Sequence, residues 1–413
     1  MVSKKGISGR TWGGILTLSL VWLMAGPVGF NPAWAGGKIR VTPSVQVKEE
    51  YNDNINFSEN NRKDDFITTL SPAVAFDYST ELFRLELSAG YNVTRYASES
   101  TKDKDLERYS FQSQYQMTER FRFNLGGAYS KDTTLEAELE RAGIVYETRE
   151  RKLYRATGGF NYVTSERSNL DVSYTRGRTE YESPGRADVD TEQATGSFNF
   201  MLLNQRDTIS LQPFYSSSRS ESLRTQIYGL SAGWSHYFNE NWSMSASAGL
   251  RRWERQTSSR ARGVRVPPYY WIMVADEDER KSEWGGVVNL ALTRLGEKHR
   301  ATLRYSRDYD YGAYGEMILT DKCLFDVNWD VWERLSAGFA GGVTLTSTES
   351  RNNQVDRTYY SLGPSLSYSL TENITVRLNY YYGKYHETVA GSDHERYRHL
   401  VSAMFNFNFP VEW

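Results

Sequence analysis

The sequence predicts an all-β protein: a transmembrane, antiparallel, up-and-down β-barrel of about eighteen strands. Three observations support this fold class. Apolar and polar residues alternate along nearly every segment after Gly37, short polar turns alternate with longer loops, and the final run pairs aromatic residues with amides before ending at Trp413. Stretches with the period of a helix are almost absent, and after residue 35 no apolar run approaches the ~18 residues of a transmembrane helix.

The alternation is clearest in the run 83–93, where the odd positions are apolar or small and the even positions are polar or glycine. The runs 121–125, 170–174 and 374–380 repeat the pattern. Each run therefore has one large apolar face and one face that carries charge. A soluble β-sandwich also alternates, but its strands usually have about 5–6 residues, whereas these runs extend over roughly 12–16. The strand length favours a membrane barrel with a wet interior.

The reversals between the runs predict the strand count. Tight polar turns, such as those at 118–120 and 371–373, alternate with longer connections, such as 133–147 and 256–281. Strands are predicted at 38–52, 65–79, 82–97, 105–117, 120–132, 148–164, 168–182, 189–203, 206–219, 223–238, 241–256, 281–294, 299–312, 316–331, 334–349, 356–370, 373–388 and 394–410. Sixteen strands is the alternative, because the reversals over 217–223 and 311–317 are weak.

The first 35 residues predict a cleavable secretory signal peptide. Lys4, Lys5 and Arg10 precede an apolar stretch, and the small-aromatic-small triplet 33–35 supplies an A-x-A cleavage site. A single N-terminal membrane anchor is the alternative, but proline and asparagine residues interrupt the stretch and no charged stop-transfer flank follows. We therefore expect two regions, a signal peptide over 1–35 and a barrel over 36–413.

These features together predict an integral protein of the outer membrane of a Gram-negative cell. The expected partners are outer-membrane lipid, lipopolysaccharide and the barrel insertion machinery, whose recognition signal the aromatic segment 405–413 resembles. A formal net charge of −2 is not the basic footprint of a nucleic-acid-binding protein, so no nucleic-acid partner is expected. Because Cys323 is the single cysteine, the chain cannot form an internal disulfide.

Charged residues in the middle of the alternating runs are predicted to point into the lumen, where they set a polar wall of mixed charge. The candidate lumen residues are Arg84, Glu86, Arg122, Asp171, Arg304, Asp326, Arg377 and Tyr381. Tyr381 and Tyr385 share the parity of Arg377. They either stack on a sugar ring or fill space, and space filling is the favoured interpretation.

No pattern in the chain indicates an enzyme, a metal site or a cofactor. The five histidines fall at turns, at loops or near strand ends, and no G-x-S-x-G motif accompanies them. They are His236, His299, His386, His394 and His399. Acidic pairs such as Asp308 with Asp310 and Asp326 with Asp330 can perform acid–base work or bind a cation, but arginines lie on the same parity. We expect no catalysis, no metal and no cofactor.

The longest connection, 256–281, has the most distinctive composition in the chain. Basic residues come first, then an apolar and aromatic centre, then an acidic run. One interpretation is a loop that folds inward and narrows the mouth, and the other is an exposed loop that touches lipopolysaccharide. The candidate constriction residues are Arg265, Tyr269, Tyr270, Trp271 and Asp276.

The first two predicted strands resemble a known family. The segments 41–45, 50–55 and 64–72 contain the pattern E-Y-x-D-N-I followed by D-x-x-T-x-x-S-P. This pattern resembles the opening of a bacterial family of porin-like outer-membrane barrels associated with exopolysaccharide gene clusters. The resemblance implies an eighteen-stranded barrel through which a secreted polysaccharide crosses the outer membrane, joined to a periplasmic polysaccharide export protein. Because the helical-repeat domain of several polysaccharide porins is lacking, that scaffold is expected to be a separate chain.

The resulting functional hypothesis is a passive conduit for secreted exopolysaccharide. A general diffusion porin for small solutes is one alternative, and a structural or adhesive barrel without transport is another. A barrel of about eighteen strands is wide enough for an aqueous path, which suits a hydrated polymer.

Overall fold

The computed structural model describes residues 36–144, 149–182, 188–221, 223–257, 262–266, 270–274, 279–312, 317–349, 354–389 and 392–413. The predicted signal peptide lies outside the described residues. The barrel strands, numbered β1 to β18 in chain order, are Lys38–Asn52, Asp65–Ser79, Phe83–Tyr96, Lys104–Thr118, Phe121–Thr133, Glu150–Ser165, Ser168–Tyr181, Val189–Met201, Asp207–Arg219, Leu223–Tyr237, Trp242–Thr257, Glu279–Leu295, His299–Tyr311, Met317–Trp332, Leu335–Glu349, Gln354–Ser369, Ile374–Val389 and Ser392–Asn408.

Each strand pairs antiparallel with its neighbours in sequence, and the sheet closes where β1 meets β18. The closing pairs run from Ser44 opposite Asn408 to Asn52 opposite Leu400, and a short strand, Val411–Glu412, continues the pairing along β1. The all-β fold class and the count of eighteen strands are therefore confirmed. The sixteen-strand alternative is wrong, because both weak reversals separate paired strands.

Successive side chains along each strand point to opposite sides of the sheet, which gives the barrel an outer and an inner face. Outward positions carry large apolar side chains that remain exposed on the isolated chain, among them Leu87, Leu125 and Leu378. Neighbouring positions of the opposite parity, such as Ser88 and Asn379, bear hydroxyl and amide groups and face the interior. This division matches a barrel with lipid outside and water inside.

The short turns are held by local side-chain hydrogen bonds. The side-chain oxygen of Asn239 accepts hydrogen bonds from the backbone N–H groups of Asn241 and Trp242, each at 2.9 Å. Thr80 and Asn204 accept bonds in the same way at other turns. Asparagine and threonine favour such turns because they replace the backbone hydrogen bonds that a reversal leaves unpaired. The end of the barrel with these turns is called the short-turn end, and the opposite end is the long-loop end.

Three further elements lie at the long-loop end. A 3₁₀ turn covers Ser100–Lys102, and the α-helix α1 covers Thr134–Ala142 in the connection between β5 and β6. The connection between β11 and β12 contains a hairpin of two short strands, Arg262–Val266 and Tyr270–Val274. No helix within the described ranges is long and apolar enough to cross a membrane.

Two adjacent glycines in β6 provide a test of the packing of this wall. A Cβ at Gly159 would lie 2.5 Å from the carbonyl oxygen of Val172 on β7, whereas a Cβ at Gly158 would meet only a side-chain atom of Leu125 at 4.0 Å. We predict that Gly159→Ala lowers the yield of folded barrel and its resistance to heat in detergent, because a strand must shift to relieve the clash. Gly158→Ala is the matched control and should fold like the parent. Equal heat resistance of the two variants would contradict the observed register.

Candidate functional site

The interior of the long-loop end is occupied by helix α1. Its sequence places Leu135, Leu139 and Ala142 on one face, at the spacing of an amphipathic helix. The helix ends at Gly143, which has a φ of 63° and whose N–H is hydrogen-bonded to the carbonyl of Leu139 at 3.0 Å. A glycine favours this left-handed conformation because it has no Cβ, so the sequence itself fixes where the helix stops.

Helix α1 crosses the lumen to the far wall. It emerges from β5, yet its C-terminal carbonyls accept hydrogen bonds from Lys322 on β14 and Thr346 on β15. Strands β5 and β14 are nine positions apart in a ring of eighteen, so they lie on opposite sides of the barrel. On the same far wall, Leu135 and Leu139 pack on Tyr359 and Tyr385 from β16 and β17. The helix therefore narrows the lumen at this end.

The connection between β1 and β2 also folds into the lumen and packs on the helix. Phe57 is almost fully buried between α1 and the rings of Tyr359 and Tyr385, with ring centroids 6.4 and 6.2 Å away. The buried side chain of Asn54 holds this connection in place by donating to the carbonyls of Ser58 at 2.8 Å and Tyr397 at 2.9 Å. Because Tyr397 belongs to β18, Asn54 also fastens the seam where the barrel closes.

A chain of ion pairs anchors the helix at both walls. Glu138 on α1 is buried and accepts from Arg151 of β6 at 2.9 Å and from Arg141 at 2.7 Å. Arg151 also binds Asp132 of β5 at 2.7 Å, and Arg141 binds Asp310 of β13 at 2.6 Å. Removing one partner of a buried ion pair typically costs about 3–5 kcal/mol, because a charge is left uncompensated. Glu138 is thus the central contact of the anchor.

A second cluster narrows the lumen beside the helix. The paired residues of β12 and β13 extend only to Val288 opposite Arg307, although both strands continue towards the long-loop end. Beyond this point Tyr311 and Met317 pack on Ile227 and Trp253 of the inner wall. The tips of β13 and β14 are therefore part of the constriction.

The remaining inner wall, towards the short-turn end, is lined by amides and hydroxyl groups. Asp171 of β7 accepts hydrogen bonds from Asn161, Asn169 and Asn199 at 2.5, 2.8 and 3.3 Å. Cross-strand hydroxyl pairs continue this surface, for example Ser173 with Thr195 at 2.7 Å. A recess of about 360 Å³ opens onto the lumen here. The surface offers many donors and acceptors at fixed positions.

The structure places the predicted lumen residues on the face opposite the exposed apolar side chains. Arg84 and Glu86 form an ion pair at 2.7 Å, Arg122 donates to Gln116 at 2.7 Å, and Arg304 pairs with Asp326. The other predicted lumen residues are Asp171, Arg377 and Tyr381, of which Tyr381 bonds Tyr359 beside the cluster that holds α1. Tyr385 is fully buried in that cluster, so it fills space.

The predicted constriction loop remains untested. Arg265, Tyr270 and Trp271 lie in the short hairpin, but the side chains of this hairpin are outside the described part of the structure. Tyr269 and Asp276 lie outside the described residues. The alternating pattern predicts only a long connection over 133–147, so it does not reveal the constriction made by α1. The apolar spacing at 135, 139 and 142 followed by Gly143 is the signal that predicts this helix.

Several of the histidines and acidic residues have structural partners. His236 bonds Asp207 at 2.7 Å near a short turn, and His399 bonds the hydroxyl of Tyr380 at 2.8 Å on the outer face. Asp308 pairs with Arg251 at 2.9 Å. Among the residues described, no group of three histidine, cysteine or acidic side chains is arranged to hold a metal ion.

A closed barrel with an apolar outer face, a polar and charged lumen, and short turns opposite long loops is a porin-like outer-membrane β-barrel. Residues 34–217 match the family described as "Putative beta-barrel porin 2". This match confirms the resemblance to a porin-like barrel family that the first two strands predicted, and it extends the resemblance into β9. It points to a channel rather than an enzyme.

Several solved structures are similar to this chain. The ferric-catecholate import receptor Fiu from E. coli K12, in its open form, is 9% identical, with 89% of this chain and 81% of that chain covered and a TM-score of 0.48. OccK2 (OpdF) from Pseudomonas aeruginosa is 9% identical, with 90% and 98% covered and a TM-score of 0.46. The outer membrane protein opdK from Pseudomonas aeruginosa is 9% identical, with 91% and 99% covered and a TM-score of 0.45. No curated protein matches the chain.

The anchor at Glu138 predicts a change in conductance. We expect Glu138→Gln to raise the single-channel conductance of the purified protein in planar bilayers, because two guanidinium groups lose the carboxylate that holds α1 across the lumen. The matched control is Glu254→Gln, which removes the same charge from an ion pair with Arg252 on the outer face of β11. A folded Glu138→Gln barrel with the parent conductance would show that the anchor does not control the opening.

A reversible cross-link tests whether helix α1 causes the change in conductance. A Cβ at Gly143 would lie 3.2 Å from the Cβ of Thr344 on the far wall, a little closer than the roughly 3.5–4.5 Å between the Cβ atoms of a disulfide. The variant combines Gly143→Cys and Thr344→Cys with Glu138→Gln, in a background in which Cys323→Ser removes the native cysteine. Its conductance should equal the parent value when the disulfide is oxidised and rise again when the disulfide is reduced. If the oxidised, cross-linked barrel keeps the higher conductance, the change originates away from α1.

Proposed function

We propose that the protein is a passive outer-membrane conduit for a secreted exopolysaccharide. The observation that carries this proposal is the inner wall of fixed amide and hydroxyl groups around Asp171. Such groups exchange hydrogen bonds with sugar hydroxyls much as water does, so a hydrated chain can move along the wall by replacing one hydrogen bond with another. In this arrangement the short-turn end faces the periplasm and the long-loop end faces outside.

Within this proposal, the predicted lumen residues contact the moving chain. The ion pairs Arg84 with Glu86 and Arg304 with Asp326 present charge without a strong local field, since each guanidinium lies beside a carboxylate. A periplasmic polysaccharide export protein would deliver the polymer to the short-turn end, and lipopolysaccharide would surround the long-loop end. The export protein is implied by the family resemblance, and lipopolysaccharide by the expected location in the outer membrane.

A second candidate function is general diffusion of small solutes. It is favoured by helix α1, which reaches both walls and narrows the path that an extended polymer would take. The two functions differ in what the helix must do. A polymer conduit needs α1 to yield or to leave a continuous path beside it, whereas a small-solute porin works with α1 in its observed position.

Deletion of the gene separates the two candidates. We predict that a deletion strain retains polymer in the periplasm and loses it from the surface, because no other path through the outer membrane replaces the conduit. Surface and periplasmic polysaccharide are measured after fractionation, with the parent gene and the outer-face variant Glu254→Gln supplied in trans as controls. An unchanged amount of surface polysaccharide, together with slower uptake of small solutes, would favour the diffusion porin.

A further inference from the structure

We infer that the lumen selects anionic solutes, and hence that the exported polymer carries carboxylates; the second part rests on the proposed function. The whole chain has a formal net charge of −2, which conceals an uneven distribution. Positions on the lumen parity of the strands carry more arginine and lysine than aspartate and glutamate. Strand β4 illustrates the division, because Arg108 points inward whereas Asp105 and Glu107 point outward.

Ion pairing sharpens this asymmetry. Most inward carboxylates at the long-loop end are matched by arginines, as Glu138, Asp308 and Asp310 are. By contrast, the structure records no ion pair for five inward guanidinium groups within its described ranges, and one of them, that of Arg122, donates to Gln116. The other four belong to Arg108, Arg155, Arg300 and Arg377. These groups are exposed to the lumen and available to a passing solute.

The opposing charges are fewer. Asp65, Asp77 and Asp330 are the inward carboxylates, besides Asp171, that likewise have no recorded ion pair in the described ranges. Asp65 is buried and accepts hydrogen bonds from the backbone N–H groups of Ser98 and Glu99. Asp171 is covered by three amide donors, so it is less available to a solute than an open carboxylate. Unpaired positive charge therefore exceeds unpaired negative charge along the path.

The local setting keeps two of the guanidinium groups accessible. Arg108 on β4 is opposite Gly90 and Ser130, and Arg155 on β6 is opposite Ala128 and Gly177. These neighbours are small, so they do not cover the long arginine side chains. The two arginines flank β5 on the same face of the wall. A guanidinium binds a carboxylate through two parallel hydrogen bonds, which makes this pair suited to uronate groups.

The unpaired arginines also occur at both depths of the barrel. Arg108 and Arg155 lie in the half near the long loops, whereas Arg300 and Arg377 lie close to the short-turn ends of β13 and β17. A charge excess along the whole path raises the local concentration of anions and lowers that of cations. Because salt screens exposed charges over about 10 Å at 0.1 M, the preference should be greatest at low ionic strength.

The test uses the purified full-length barrel in planar bilayers under a KCl gradient. The reversal potential should show chloride preferred over potassium, and Arg108→Gln with Arg155→Gln should reduce that preference severalfold. The matched control is Arg224→Gln, an exposed arginine on the outer face of β10, which should leave the reversal potential unchanged. A parent channel that prefers potassium, or a double variant with the parent selectivity, would overturn the inference.

A second measurement addresses the sugar directly. Short oligogalacturonates should block the current at a severalfold lower concentration than neutral maltodextrins of equal length, and the double variant should lose this difference. Equal block by the acidic and neutral sugars overturns the assignment of a carboxylate-bearing polymer. The results distinguish failure of this inference from failure of the proposed function. If the deletion strain traps polymer but the channel is not selective, only the inference of anion selectivity is wrong. If the channel prefers anions but the deletion strain keeps normal surface polymer, only the conduit function is wrong.

Discussion

The closing seam between β1 and β18 is the constraint on which the rest of the structure depends. The bilayer core has no water to satisfy backbone N–H and C=O groups, so a strand can remain there only if both of its edges are paired. In this chain the last strand meets the first along the run from Ser44 to Asn52, and Asn54 continues the closure by bonding the carbonyl of Tyr397. The motif that carries the family resemblance thus lies at the position where the ring becomes complete.

The lumen shows how one barrel combines two kinds of surface. Towards the short turns the wall exposes amides and hydroxyls, which cost little to hydrate. Towards the long loops it buries aromatic rings and paired charges against an inserted helix. The first surface leaves the lumen open to solutes, whereas the second narrows it. A charge such as Glu138 is tolerated in the second because Arg141 and Arg151 compensate it.

The barrel could be predicted from the sequence, but the constriction could not. Alternation with period two is a local property, so β1 and β2 fall where the pattern predicts, at Lys38–Asn52 and Asp65–Ser79. Helix α1 is local too, but its short apolar spacing is easily overlooked among polar loop residues. Its docking site is not local: Arg141 meets Asp310 of β13, and Ala142 meets Thr346 of β15, on the opposite side of the ring from β5. Such contacts depend on barrel closure, which no local pattern encodes.

The position of Phe57 has a consequence for the order of assembly. Its ring is enclosed by Leu135 and Leu139 from the first third of the chain and by Tyr359 and Tyr385 from the last part. The aromatic half of that pocket does not exist until β16 and β17 have joined the sheet. Helix α1 therefore completes this packing only when β16 and β17 are in place, so the narrowing of the lumen depends on the last part of the chain.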